Sequence, residues 1–113
     1  MKIKTCWAMV AALGLVSASA QAEGSAAAGA LKIKTFGCIA CHGRDGVSKL
    51  PEAPNLAGQV DTYLVSALKA YHAGERKNEL MNTVAQNLGD QDMADLAAYY
   101  SGIQVAVTPP PKP

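Results

Sequence analysis

Five consecutive residues, Cys38-Ile39-Ala40-Cys41-His42, place two thiols and an imidazole within little more than one helical turn. Helix positions three apart share a face. The two sulfurs can therefore meet two reactive carbons on one side of a flat ring. The histidine that follows is carried toward a metal at the centre of that ring. This is the attachment pattern of c-type haem, whose two vinyl groups take the thiols and whose iron takes the imidazole as an axial ligand. One local motif thus specifies a cofactor, its orientation and one metal bond.

Two other readings of a C-x-x-C pair remain open. A thiol-disulfide redox site usually sits beside a β-α-β pattern, and no such pattern is visible. A closed zinc site needs four ligands. If the N-terminal segment is removed, only Cys38, Cys41, His42 and His72 are left as strong ligands.

That segment reads as a secretory signal over residues 1–22. Lys2 and Lys4 form a positive start, and Cys6 to Val16 is an apolar run too short to span a bilayer as a helix. Ser17-Ala18-Ser19-Ala20-Gln21-Ala22 supplies small residues, with Ala20-x-Ala22 favouring cleavage before Glu23 and Ala18-x-Ala20 a close second. The alternative is a buried or membrane helix. No leucine-containing lipobox leads to a cysteine, so no lipid anchor is expected. Haem is joined to its cysteines after export, which places the expected site of action in the periplasm.

Residues 23–103 then form one small domain, and 104–113 a Pro-rich extended tail. A docking peptide is the other reading of that tail. Loss of Lys2 and Lys4 lowers the formal charge of +1 by two. Such a balance leaves no basic footprint for nucleic acid. It also leaves no polybasic patch for a membrane, and no stable membrane insertion is expected after signal removal. The aromatic inventory beyond Trp7 is Phe36 with Tyr63, Tyr71, Tyr99 and Tyr100. That is a thin supply for a core of this size, and a porphyrin would complete it.

The pattern predicts an all-α domain of about four helices. The first runs from Ser25, a fair N-cap, to Phe36. Its Gly29 and Ala30 leave room for another helix. Residues 47–60 read as an irregular loop with Pro51, Pro54 and Gly58. A second helix spans 61–72, capped by Asp61 and stopped by Gly74, with Leu64, Val65, Leu68 and Tyr71 on one stripe. A short third helix follows Met81 and carries Val84, Ala85 and Leu88. The fourth starts at Asp90 as its cap and stops at Gly102. It buries Met93, Leu96, Ala97 and Tyr100.

An iron held by His42 has a second axial position. Met93 lies within a regular helix and reads as core. Met81, after the turn-rich Gly74-Glu75-Arg76-Lys77-Asn78, sits where a loop can bring it to the far side of the ring. His72 is the rival, better read as a surface or capping histidine.

With these features the chain resembles the class I cytochromes c. It is similar to a small single-haem bacterial form or to one half of a two-haem periplasmic form. The matching residues are Cys38 to Gly43, Pro54-Asn55-Leu56-Ala57-Gly58-Gln59, Tyr63-Leu64, Leu68, Tyr71, Gly74-Glu75-Arg76, Met81 and Leu96-Ala97-Ala98-Tyr99-Tyr100. They cover residues 25–103. The resemblance implies a compact cytochrome c fold around one covalent haem c, with thioethers from Cys38 and Cys41 and iron ligation by His42 and Met81. It also implies that the Pro54 carbonyl accepts the other ring proton of His42. Leu56, Tyr63, Leu68 and Tyr71 would line the ring, and Arg76 would reach a propionate. The first and last helices would cross near Gly29 or Ala30 and Leu96/Tyr99. The chain departs from the family in having Ile33 at the aromatic spacing after Gly29, with Phe36 only two residues before Cys38.

Two filled axial positions leave outer-sphere electron exchange as the expected function, carried out with transient redox partners at an exposed haem edge. Lys32, Lys34 and Lys49 would steer an acidic partner. The alternative is a haem c subunit of a periplasmic dehydrogenase or oxidation complex. A third reading, an enzyme or gas sensor with open iron, requires Met81 to lie elsewhere. In a Cys38→Ala/Cys41→Ala form without haem, we expect weak near-UV dichroism and non-cooperative melting, because a group bound only by the folded state adds its binding energy to stability.

Overall fold

Residues 22–113 are described by a computed structural model. The expected signal, apart from Ala22, lies outside the described residues. Five helices follow in order: α1 (Ala26–Thr35), α2 (Cys38–His42), α3 (Asp61–His72), α4 (Glu79–Ala85) and α5 (Asp90–Ser101). No strand occurs among the described residues. None of the described helices is long and apolar enough to cross a membrane. Residues 104–113 carry no helix or strand and are exposed.

The all-α expectation holds, with one helix more than foreseen. The C-x-x-C-H run is a short helix of its own, because glycines bound it. Gly37 (φ 75°) and Gly43 (φ 76°) both occupy the left-handed side of backbone space, which other residues enter at a cost. They turn the chain sharply on either side of α2.

Three helix starts differ from expectation. α3 begins after Val60, which is extended (φ −62°, ψ 125°), so Asp61 is its first helical residue and makes no capping bond. Its carboxylate instead faces the positive end of the helix dipole. α5 is preceded by Gly89 rather than capped by Asp90, and Asp92 Oδ2 accepts the Gly89 N–H at 2.9 Å. That is one half of a capping box. α4 starts two residues before Met81, because Asn78 Oδ1 accepts the Met81 N–H at 3.0 Å. Met81 therefore sits in a first helical turn and not in a loop. Ser25 caps α1 as expected, accepting from Ala28 N at 3.2 Å.

α1 and α5 pack closely. A Cβ at Gly29 would collide with the Asp95 carbonyl and the Tyr99 Cβ, so glycine permits this approach. Around the crossing lies the core of Ile33, Leu64, Leu88, Met93, Leu96, Ala97 and Tyr100, with Phe36 and Tyr99 packed partly against it. Ile33, 1% exposed, fills the position where the resemblance led to the expectation of an aromatic ring.

An ion network staples the same pair of helices. Lys32 Nζ lies 2.7 Å from Asp92 Oδ1 and 2.6 Å from Asp95 Oδ2. Asp95 Oδ1 also accepts from Ser25 N (2.8 Å) and Gln91 Nε2 (2.9 Å). Asp95 is almost fully buried, and every donor around it favours the charged form. Lys32 foremost, then the Ser25 N–H and Gln91, hold its carboxyl down to about 2. Lys32 is thus committed to α5 and is not free to steer a partner. Lys49 lies 3.5 Å from Asp45, and Lys34 remains exposed.

Asp95→Ala should lower the stability of the haem-loaded protein by roughly 1–3 kcal/mol in urea unfolding, since it strips partners from several donors. The carboxyl titrates lower in the folded chain than in the unfolded one. Its contribution is therefore full above about pH 4 and fades as pH falls toward about 2.

Candidate haem site

Between the core faces of α3 and α5 lies an apolar cleft enclosing about 900 Å³, including its open mouth. Cys38 and His42 enter from α2, and Pro54 and Leu56 from the loop that follows. Tyr63, Leu68 and Tyr71 come from α3, Arg76 from the turn beyond it and Met81 from α4. The structure therefore gathers nine of the ten expected site residues around one space. Cys41, half-buried, is not among the lining residues.

His42 is 8% exposed. Its Nδ1 lies 2.9 Å from the Pro54 carbonyl. A carbonyl only accepts, so Nδ1 carries the proton and donates it, leaving Nε2 as the nitrogen with a free lone pair. Tyr100 braces the same region. Its hydroxyl donates to the Gly43 carbonyl at 3.0 Å, and its backbone carbonyl accepts the Gly58 N–H at 2.9 Å. One residue thus ties the end of α2 to the loop that contains Pro54. Tyr99 donates to the Arg44 carbonyl at 2.7 Å.

At the other side, the Arg76 guanidinium lies 4.8 Å from the centre of the Tyr71 ring, within cation–π range. Its Nη1 donates to the Tyr63 hydroxyl at 3.4 Å. Tyr63 lines the cleft and is half exposed, which puts it at the mouth. His72 is exposed and donates from Nδ1 to the Ala85 carbonyl at 2.7 Å. It does not line the cleft, as its reading as a surface histidine requires.

Cys38 and Cys41 are unbridged. Burial pushes the Cys38 thiol up to about 11. Thiol-disulfide exchange needs a thiolate, so Cys38 is poorly suited to it. No cluster of three or more His, Cys, Asp or Glu among the described residues could hold a metal ion, which removes support from the zinc reading.

Leu64, Ala67, Leu96, Ala97 and Tyr100 also line the cleft and were not foreseen as site residues. Their signal was present, because they lie on the apolar stripes of α3 and α5. The core face of each helix continues into the cleft wall, and sequence periodicity alone does not separate the two roles.

A sequence profile of the family described as "Cytochrome c" matches residues 22–103. The chain belongs to the cytochrome c family. This cytochrome c is 56% identical over 81 residues to cytochrome c-554(548) of Halomonas halodenitrificans, covering 69% of this chain and 95% of that protein. Among solved structures it is similar to reduced recombinant cytochrome c4 from Pseudomonas stutzeri, with a TM-score of 0.66 and 40% identity, over 74% of this chain and 48% of that one. It is also similar to thiosulfate dehydrogenase (TsdBA) from Marichromatium purpuratum, with a TM-score of 0.66 and 33% identity, over 85% and 24% of the two chains. The chain thus spans nearly all of c-554(548), about half of the c4 chain and a quarter of the TsdBA chain. As a cytochrome c, the protein is an electron carrier that holds haem c covalently.

The cleft fits that group. Its lining is apolar except for the His42 imidazole, whose Nδ1 is turned to the Pro54 carbonyl, a thioether, and a few polar groups such as Arg76 and Tyr63 near Tyr71. Pro54→Ala should leave haem attachment and the visible spectrum unchanged, because a backbone carbonyl survives the substitution. Denaturant unfolding should show a loss of only about 0.4–1 kcal/mol from the loosened loop.

Proposed function

We propose that this protein is a periplasmic, single-haem electron carrier in which Cys38 and Cys41 hold the ring and His42 and Met81 ligate its iron. The observation that carries the ligand assignment is that His42 and Met81, the former with its tautomer fixed by Pro54, line one apolar cleft.

Bound haem c supplies an iron that gains and releases one electron. The chain's residues decide how it does so. The His42 imidazole and the Met81 thioether are the residues that would hold the iron. With both in place no position would be left for a substrate, so exchange with a neighbour would be outer-sphere. As a ligand the Met81 sulfur would favour the reduced state and raise the potential. The surrounding Leu64, Leu68, Leu96 and Ala97 exclude water and disfavour the added charge of the oxidised state. The Pro54 carbonyl holds the orientation of the His42 ring. Arg76, at hydrogen-bonding distance from Tyr63, supplies a cation for a propionate.

Redox partners follow from the family's activity. Their contact with this protein would be small and transient, with Lys34 the exposed cation of the first helix. A second reading has one specific support. The fold is similar to part of TsdBA, a thiosulfate dehydrogenase. In that reading the chain is the haem c subunit of a periplasmic dehydrogenase. Size-exclusion chromatography of native periplasmic extract separates them, since a free carrier elutes near its own small mass.

Met81→Ala should lower the reduction potential by on the order of 0.1–0.3 V, within the ~0.8 V span that axial ligands cover. The reduced protein should then bind carbon monoxide at neutral pH. Redox titration and visible spectroscopy measure both, and an unchanged potential removes Met81 from the sixth position.

A further inference from the structure

Met81 stands on a short helix with little of its surface buried. α4 has seven residues, and Ala85 alone among them is fully buried. A helix this short is not stable by itself. Leu80, next to Met81, is 57% exposed, and Glu79 is exposed as well. Packing therefore does little to hold the turn that carries the sulfur, and polar contacts must do it.

One side chain supplies them. The Asn82 amide nitrogen donates to the Tyr71 carbonyl and to the Arg76 carbonyl, each at 2.8 Å. Its oxygen accepts the Asn78 N–H at 2.8 Å. Both amide protons and an acceptor site are used. The three partners belong to three segments: the last turn of α3, the turn after it, and the cap of α4. Tyr71 and Arg76 line the cleft, and so does Met81, the residue before Asn82. Asn78 in turn accepts the Met81 N–H. The other links between α3 and α4 lie at the far end of the short helix, where His72 bonds Ala85 and Gln86 Nε2 donates to the His72 carbonyl at 2.7 Å.

We infer that Asn82 is the positioning residue for Met81, a planar amide that locks the first turn of α4 to the end of α3 and so sets where the methionine sulfur stands. This rests on the ligand role proposed for Met81. Asn82 touches no reacting group and acts only through its neighbour. Its loss leaves two carbonyls and one N–H without their partner and frees the turn to move.

An external ligand must displace Met81, so its apparent affinity reports how firmly Met81 is held. The test is an imidazole titration of the oxidised, haem-loaded protein, followed through the near-red methionine-to-iron absorption. The wild type should show that absorption, and its absence would remove the ligand role of Met81 and this inference with it. Asn82→Ala should bind imidazole about tenfold more tightly, the effect expected from losing two or three modest hydrogen bonds. Asn82→Asp keeps the size and the acceptor but puts an oxygen, which cannot donate, in place of the nitrogen that faces both carbonyls. It should shift affinity in the same direction, and it decides the matter if the alanine variant does not fold. Asn87→Ala, beyond the far end of α4, removes a bond to the Thr83 carbonyl and should leave imidazole binding as in the wild type. Absorption intact and affinity within about twofold of wild type in the folded Asn82 variants would overturn the inference while leaving Met81 as the ligand.

Discussion

Gly29 lets the backbone of α1 rest against the Asp95 carbonyl and the Tyr99 Cβ of α5. The site is placed outward from that close crossing. α1 leads through Gly37 directly into the helix that carries Cys38 and His42. α5 returns Tyr100, whose hydroxyl meets the Gly43 carbonyl at the end of that helix. Lys32, Asp92 and Asp95 staple the crossing from its polar side. A side chain in place of Gly29 would push the two helices apart and carry the motif away from its brace.

Electron transfer rewards a site that changes little between oxidation states, and the two sides of this cleft reach that end differently. The His42 side is held by backbone: the Pro54 carbonyl on the ring, and the Gly43 and Gly58 peptide groups on Tyr100. The Met81 side is held by side-chain amides, with Asn78 and Asn82 joining a short helix to its neighbour. Substitution removes a side-chain amide and spares a backbone carbonyl. The methionine side is therefore the one that mutation can tune.

The cleft is also unfinished core. Leu64, Leu88, Leu96, Ala97 and Tyr100 belong both to the packed interior and to the lining. A chain with one phenylalanine and four tyrosines has little with which to fill such a space. Binding and folding draw on the same surfaces, which explains why the cofactor should matter as much to stability as to redox chemistry.

Much was legible from residues alone. C-x-x-C-H specified the cofactor because attachment chemistry needs those groups at that spacing, and spacing within one turn is a local property. The apolar stripes on α3 and α5 were legible for the same reason, as was Gly29 as a point of close approach. What only the tertiary structure decided were relations between distant segments. Asp61 and Asp90 have the composition of caps, but the backbone angles at Val60 and Gly89 start those helices one residue earlier. Lys32 has the composition of a free surface charge, and the α1–α5 crossing turns it onto two aspartates. Met81 follows a turn-rich stretch, yet the Asn78 cap draws it into a helix. Asn82 carries no sequence signal at all, because its three partners meet only when α3 folds back over α4. Periodicity and motif chemistry act over a few residues, whereas hydrogen bonds between segments depend on the packing that brings them together.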